Sequence, residues 1–151
     1  MNQTDATNMA QDLLNEHAPG WTFAFDNARR RFGCCRFRDR TITLSRYLVA
    51  LNDERLVRNT ILHEIAHVHA GPKAKHGPVW RERAVALNIS PERCYNSREV
   101  AAPTPSFVGT CPNCGHTVRR HRRTNIACGD CCRKYNGGRF DAQYWIEWRR
   151  A

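Results

Sequence analysis

The pattern of the chain predicts an α+β domain of about a hundred residues with a small cysteine-rich module appended. Three observations carry this reading. Between positions 5 and 87 the hydrophobic period runs from helical to alternating and back to helical. Ala101-Ala102-Pro103-Thr104-Pro105-Ser106 then interrupts the chain with a stiff stretch that suppresses helix. Beyond it, two Cys-x-x-Cys pairs stand thirteen residues apart. The expected division is 1–100 for the larger domain, 101–108 for a Pro-rich linker and 109–151 for the cysteine module and tail.

Asp5 to His17 reads as a helix, capped by Thr4 or Asp5 and stopped at Pro19-Gly20. Trp21, Phe23 and Phe25 alternate with Thr22, Ala24 and Asp26, giving a strand with one aromatic face. Phe32 to Phe37 and Arg40 to Ser45, the latter with Ile42 and Leu44 inward, read as two more strands of a short, antiparallel-type sheet. Asn52, Asp53 and Glu54 supply cap and dipole chemistry for a helix that runs to about Ala70, where Gly71-Pro72 ends it. Val57, Ile61, Ile65 and Val68 place a buried stripe along that helix. A further helix is expected from Pro78 to Leu87.

Composition narrows the class. The 151-residue chain is 41% hydrophobic and 25% charged, which is globular, and no apolar run reaches the ~20 residues of a membrane span. The polar first ten residues carry no Lys or Arg, so no secretory signal is expected, and a cytoplasmic location follows. In a reducing compartment eight cysteines point to metal before disulfides. The net charge of +10 is concentrated in the last third and points to an acidic partner, with nucleic acid first.

His63-Glu64-Ile65-Ala66-His67 falls on the predicted buried helix. Residues four apart share a helix face, so both imidazoles can reach one zinc ion, while Glu64 lies beside the metal without ligating it. There it can take a proton from a polarised water and return it to a leaving amine. The best third ligand is His76, in Lys75-His76-Gly77-Pro78-Val79-Trp80, with Glu82 as the alternative. His69 points to another face and is read as a packing residue or an outer partner of the site.

These residues resemble the SprT-like metallopeptidases, the group that includes Spartan. The match rests on His63 to His67 and His76-Gly77-Pro78-Val79-Trp80. Gly20-Trp21-Thr22-Phe23, Ile42-Thr43-Leu44-Ser45 and Thr60-Ile61-Leu62 agree with it. The resemblance covers roughly residues 5–95 and extends through the cysteine module. It implies a zincin-like fold and zinc ligation by His63, His67 and His76, with Glu64 as catalytic acid and base. It also implies a DNA-linked role, in which proteins bound or crosslinked to DNA are degraded.

Cys111-Pro112-Asn113-Cys114 and Cys128-Gly129-Asp130-Cys131 form two knuckles that complete a tetrahedral four-cysteine zinc site, the basis of a zinc ribbon. With no open position, that zinc is expected to be structural. Cys132 could stand in for Cys131, although the Cys-x-x-Cys spacing favours Cys131. Between the knuckles, Arg119, Arg120, Arg122 and Arg123 are expected to hold DNA phosphates without choosing sequence. Tyr144, Trp145 and Trp148 are read as packing on the ribbon, with base stacking as the alternative. Cys34, Cys35 and Cys94 have no partner spacing and are read as buried apolar thiols.

The whole chain is therefore expected to be a zinc endopeptidase with one catalytic and one structural zinc, working beside DNA at the nucleoid. A non-catalytic, zinc-containing nucleic-acid-binding or regulatory module is the alternative. A zinc hydrolase acting on a non-peptide amide is the third reading.

Overall fold

The computed structural model describes residues 1–92 and 99–151, and Cys94 lies outside the described residues. The chain divides into two compact units, Met1–Pro103 and Thr104–Ala151.

The first unit opens with α1 (Gln3–His17), which begins two residues earlier than the sequence suggested. Its cap is Asn2, whose side chain accepts from the Asp5 N–H at 2.8 Å, rather than Thr4 or Asp5. Three short strands follow: β1 (Thr22–Asp26), β2 (Gly33–Arg36) and β3 (Thr41–Ser45). Their spatial order is β1-β3-β2. A tight 3-10 turn over Phe37–Asp39, with Arg40 left-handed at φ 47°, folds β2 and β3 into an antiparallel pair. β1 lies on the other edge and runs parallel to β3, with Phe23 opposite Ile42. The sheet is thus mixed, not antiparallel throughout, because the chain crosses from one edge to the other before the middle strand is laid down.

That middle strand is buried along its whole length. Ile42 and Leu44 are fully enclosed, and the intervening polar residues are satisfied internally. Thr43 donates to Asp26 at 2.8 Å, and Ser45 donates to the Ala28 carbonyl at 2.5 Å. Ser45 also caps a short helix, α2 (Arg46–Leu51), by accepting from the Leu48 N–H.

Next comes α3 (Glu54–Ala70), the central helix of this unit. The Asp53 side chain caps it by accepting from the Leu56 N–H at 2.8 Å, and Gly71 ends it. Val57, Ile61 and Ile65 are fully buried against Ala6, Ala10, Leu13 and Leu14 of α1 and the inner face of the sheet. Each such side chain contributes about 1.5–3 kcal/mol on burial. An Asp at position 61 in place of Ile61 would put a charge at the centre of this layer and unfold the unit. After a tight loop, α4 (Pro78–Ala86) packs on α3 through Trp80 and Ala84, neither of which is exposed.

The second unit is a three-stranded antiparallel sheet, β4 (Phe107–Thr110), β5 (Thr117–Arg120) and β6 (Glu147–Arg150), in the order β5-β4-β6. A helix, α5 (Gly129–Asn136), begins at the second cysteine knuckle. β4 starts inside the stretch expected to be linker, and the tail returns as β6 beside it. Gly109 makes this possible, since a Cβ there would lie 2.8 Å from the Trp148 ring. Tyr144 is buried, and Trp148 donates its indole N–H to the Thr124 carbonyl at 2.9 Å. Trp145 is exposed and meets only Phe140 edge-on among the rings described.

Candidate metal centres

α3 brings His63 and His67 to one face, one turn apart, and the loop after it returns His76 to them. That loop turns on two backbone bonds, Ala74 N–H to Gly71 and Gly77 N–H to Ala74, with Lys75 left-handed at φ 48°. His76 Nε2 lies 3.1 Å from Nε2 of both His63 and His67. Ligand nitrogens about 2.0–2.1 Å from a tetrahedral zinc are about 3.3 Å apart, so three converging nitrogens at this spacing suit one ion with a fourth position left over. The rings rest on Trp80, whose centroid is 4.7, 5.4 and 4.6 Å from those of His63, His67 and His76. Burial, with help from His67 and His76, pushes His63 down to about 3. Burial and His76 push His67 down to about 4. Both rings are therefore neutral at pH 7, which is the form that ligates a metal.

Glu82, the alternative third ligand, is exposed on α4 and outside this group. His69 is outside it as well: its Nε2 lies 2.6 Å from the His17 carbonyl, tying α3 to the end of α1.

Glu64 projects from the same helix onto β2. Its carboxylate accepts from the Cys35 N–H and feels the Arg31 charge, but burial dominates and pushes it up to about 7. Arg31 is anchored by Asp26 at 2.6 Å. Burial would raise Asp26, yet the Ala28 N–H, the Thr43 hydroxyl and Arg31 together hold it below the ordinary carboxylate value. The triad and Glu64 open into a cleft of about 1290 Å³, which Arg30, Lys75 and Arg81 also line.

Cys34 and Cys35 line this cleft and are half-buried, not enclosed as the sequence suggested, because β2 is an edge strand. Burial, then Glu64 and Cys34, pushes the Cys35 thiol up to about 12, so it is a neutral thiol rather than a thiolate at neutral pH.

In the second unit Cys111, Cys114, Cys128 and Cys131 form one cluster. The Sγ separations are 3.8 Å for Cys111–Cys131 and 3.7 Å for Cys114–Cys128. Thiolates about 2.3 Å from a tetrahedral zinc stand about 3.8 Å apart, so the set fits a closed four-sulfur site. Asn113 adds a hydrogen bond to Cys131 Sγ at 3.3 Å. Cys132 is buried beside the cluster but does not belong to it.

The four arginines do not form one face. Arg119 and Arg120 are neighbours on β5, so their side chains leave opposite sides of the sheet. Across β4, Arg120 and Arg150 both pair with Phe107, while Arg119 and Arg149 both pair with Val108. The Arg123 guanidinium lies 5.3 Å over the Phe107 ring. Arg149 and Arg150 do not stand out in the sequence, because only strand pairing brings the tail beside β4.

Comparison with known proteins assigns the first unit. Residues 4–99 match the SprT-like family. The chain belongs to the SprT-like family. Protein SprT of Proteus mirabilis (strain HI4320) is 27% identical over 135 residues, covering 81% of this chain and 80% of that protein. A solved structure, the metallopeptidase zymogen of Methanocaldococcus jannaschii jannalysin, aligns with a TM-score of 0.47 at 18% identity. That alignment covers 63% of this chain and 86% of the other. Among the described residues of this SprT-like chain, no helix is long and apolar enough to cross a membrane.

Proposed function

We propose that the chain is a zinc-dependent endopeptidase of the HExxH type that acts on proteins bound or crosslinked to DNA. The observation that carries the proposal is the convergence of the three imidazoles, His76 Nε2 lying 3.1 Å from those of His63 and His67, with Glu64 of the same helix opening into the same cleft. Family membership supports it.

His63, His67 and His76 would hold the catalytic ion. Zinc supplies a Lewis acid that polarises a carbonyl and acidifies water. Glu64 takes the proton of the attacking water on its carboxylate and delivers it to the nitrogen of the departing amine. A carboxyl raised by burial suits both halves of that exchange, since it neither holds nor releases a proton too strongly near neutral pH. Trp80 keeps the imidazoles in place and water away from their inner side.

Cys111, Cys114, Cys128 and Cys131 would hold a second, structural zinc. The arginines of β5, its following turn and β6 would grip phosphates, giving affinity without sequence choice. Such a grip would keep the peptidase beside proteins on DNA, in the cytoplasm at the nucleoid.

The test is cleavage of a DNA-bound histone with and without single-stranded DNA, using Glu64→Gln as control. Cleavage that depends on DNA and disappears in the variant supports the proposal. Intact DNA binding and two zinc ions per chain without cleavage would favour the non-catalytic nucleic-acid-binding module instead.

A further inference from the structure

We propose that β2 is a backbone saddle for the proton-transferring carboxylate and that Gly33 is its positioning residue. This rests on the reading of Glu64 as the group that moves the proton. Gly33 and Cys35 are two apart on an edge strand, so their backbones present the same side. From that side the Cys35 N–H donates to the Glu64 carboxylate. The carboxylate lies directly over Gly33. A Cβ built there would stand 2.7 Å from Glu64 Oε1, 2.9 Å from Glu64 Cγ and 2.9 Å from Thr60 Cγ2.

Space, not backbone conformation, excludes a side chain. Gly33 is not among the residues with positive φ, so alanine can adopt its backbone without strain. Ordinary contacts begin near 3.4 Å, so both α3 side chains are struck, Glu64 by about 0.5–0.7 Å and the Thr60 methyl by about 0.5 Å. Thr60 is the stiffer one. It is β-branched, 1% exposed, and its hydroxyl donates to the Leu56 carbonyl at 2.8 Å. Glu64 has more rotatable bonds, so its carboxylate yields and leaves the Cys35 N–H. A methyl group at residue 33 thus displaces the base, while the three imidazoles, which supply none of the atoms nearest that methyl, stay in place.

The experiment uses the full chain as Gly33→Ala, Thr60→Ser and the double variant. Serine keeps the hydroxyl of Thr60 and removes the methyl that the new Cβ would strike. Three quantities are read: zinc per chain, kcat and KM on a protein or peptide substrate, and amide hydrogen exchange at Cys35. In Gly33→Ala, zinc content and KM are expected to hold. kcat is expected to fall about 100-fold, the cost of a displacement approaching 1 Å, and exchange at Cys35 should accelerate. Thr60→Ser should resemble the native chain. The double variant should regain thermal stability but neither kcat nor Cys35 protection. Recovery of both in the double variant, or native values of both in Gly33→Ala, would overturn the proposal. If the native chain itself cleaves nothing, the peptidase reading fails, and Cys35 exchange still decides whether Gly33 seats Glu64.

Discussion

Replacing Glu64 by Gln should stabilise the metal-free protein while removing its chemistry. The Glu64 side chain is 7% exposed, and its carboxyl titrates at about 7 in the fold against 4.5 in the unfolded chain. Burial raises it most; the Cys35 N–H and Arg31 oppose the rise without cancelling it. One pKa unit corresponds to about 1.4 kcal/mol, so keeping Glu64 ionised costs the fold about 3 kcal/mol above pH 7. The sign follows from a folded value above the unfolded one. Below about pH 4.5 the carboxyl is neutral in both states and there is no cost. Between 4.5 and 7 the unfolded chain ionises first and the cost grows; above 7 it is constant. Gln carries no charge at any pH and keeps an oxygen for the Cys35 N–H. His63 and His67, held low by burial, weaken both proteins alike as the pH falls, so they cancel in the comparison. Thermal unfolding of the first unit in the presence of chelator should therefore show the Gln variant higher by about 10–20 °C at pH 8 and level with the native chain near pH 4. Zinc should narrow the gap, since a cation beside the carboxylate favours its ionised form. A gap that is absent at pH 8, reversed, or equal at both pH values would refute the reasoning.

Three further outcomes are expected. His76→Ala should lower bound zinc from two ions per chain to one by metal analysis while α3 keeps its helical signal, because Val57, Ile61 and Ile65 bury independently of the ion. Cys128→Ser should melt the second unit alone, followed by Trp148 fluorescence. Cys111, Cys128, Cys131 and Cys132 make up most of that unit's buried core, and a structural zinc contributes about 10–16 kcal/mol in zinc-finger peptides. Arg120→Ala with Arg150→Ala should reduce the slope of log affinity against log salt on single-stranded DNA by about 0.7 for each phosphate no longer gripped, and Arg149→Ala, on the other face, should be additive with them.

The parts of this molecule that are legible in the sequence are those whose determinants are local. The histidines of α3 declare themselves because a four-residue spacing on a helix fixes a common face, and the knuckles because two residues between cysteines fix a turn. Asp53 and Gly71 bound the helix through their own cap chemistry. What escapes depends on contacts between distant segments. The parallel pairing of β1 with β3 follows from a crossover that no residue of β1 encodes. Asn52 reads as part of a helix start, yet its side chain bridges Leu48 and both backbone groups of Ala101. Gly33 looks like an ordinary strand glycine until Glu64 is seen above it. α2 is not legible because six residues carry too little periodicity to stand out from the strand before them.

Catalysis, as proposed, turns on Glu64 moving a proton beside a metal held by three histidines. The most direct measurement is protein cleavage by the native chain and by Glu64→Gln, each with its zinc content determined on the same sample. Two zinc ions per chain are expected in both, with cleavage in the native chain alone. Cleavage retained by the variant, or a fully zinc-loaded native chain that cleaves no protein, would contradict this mechanism.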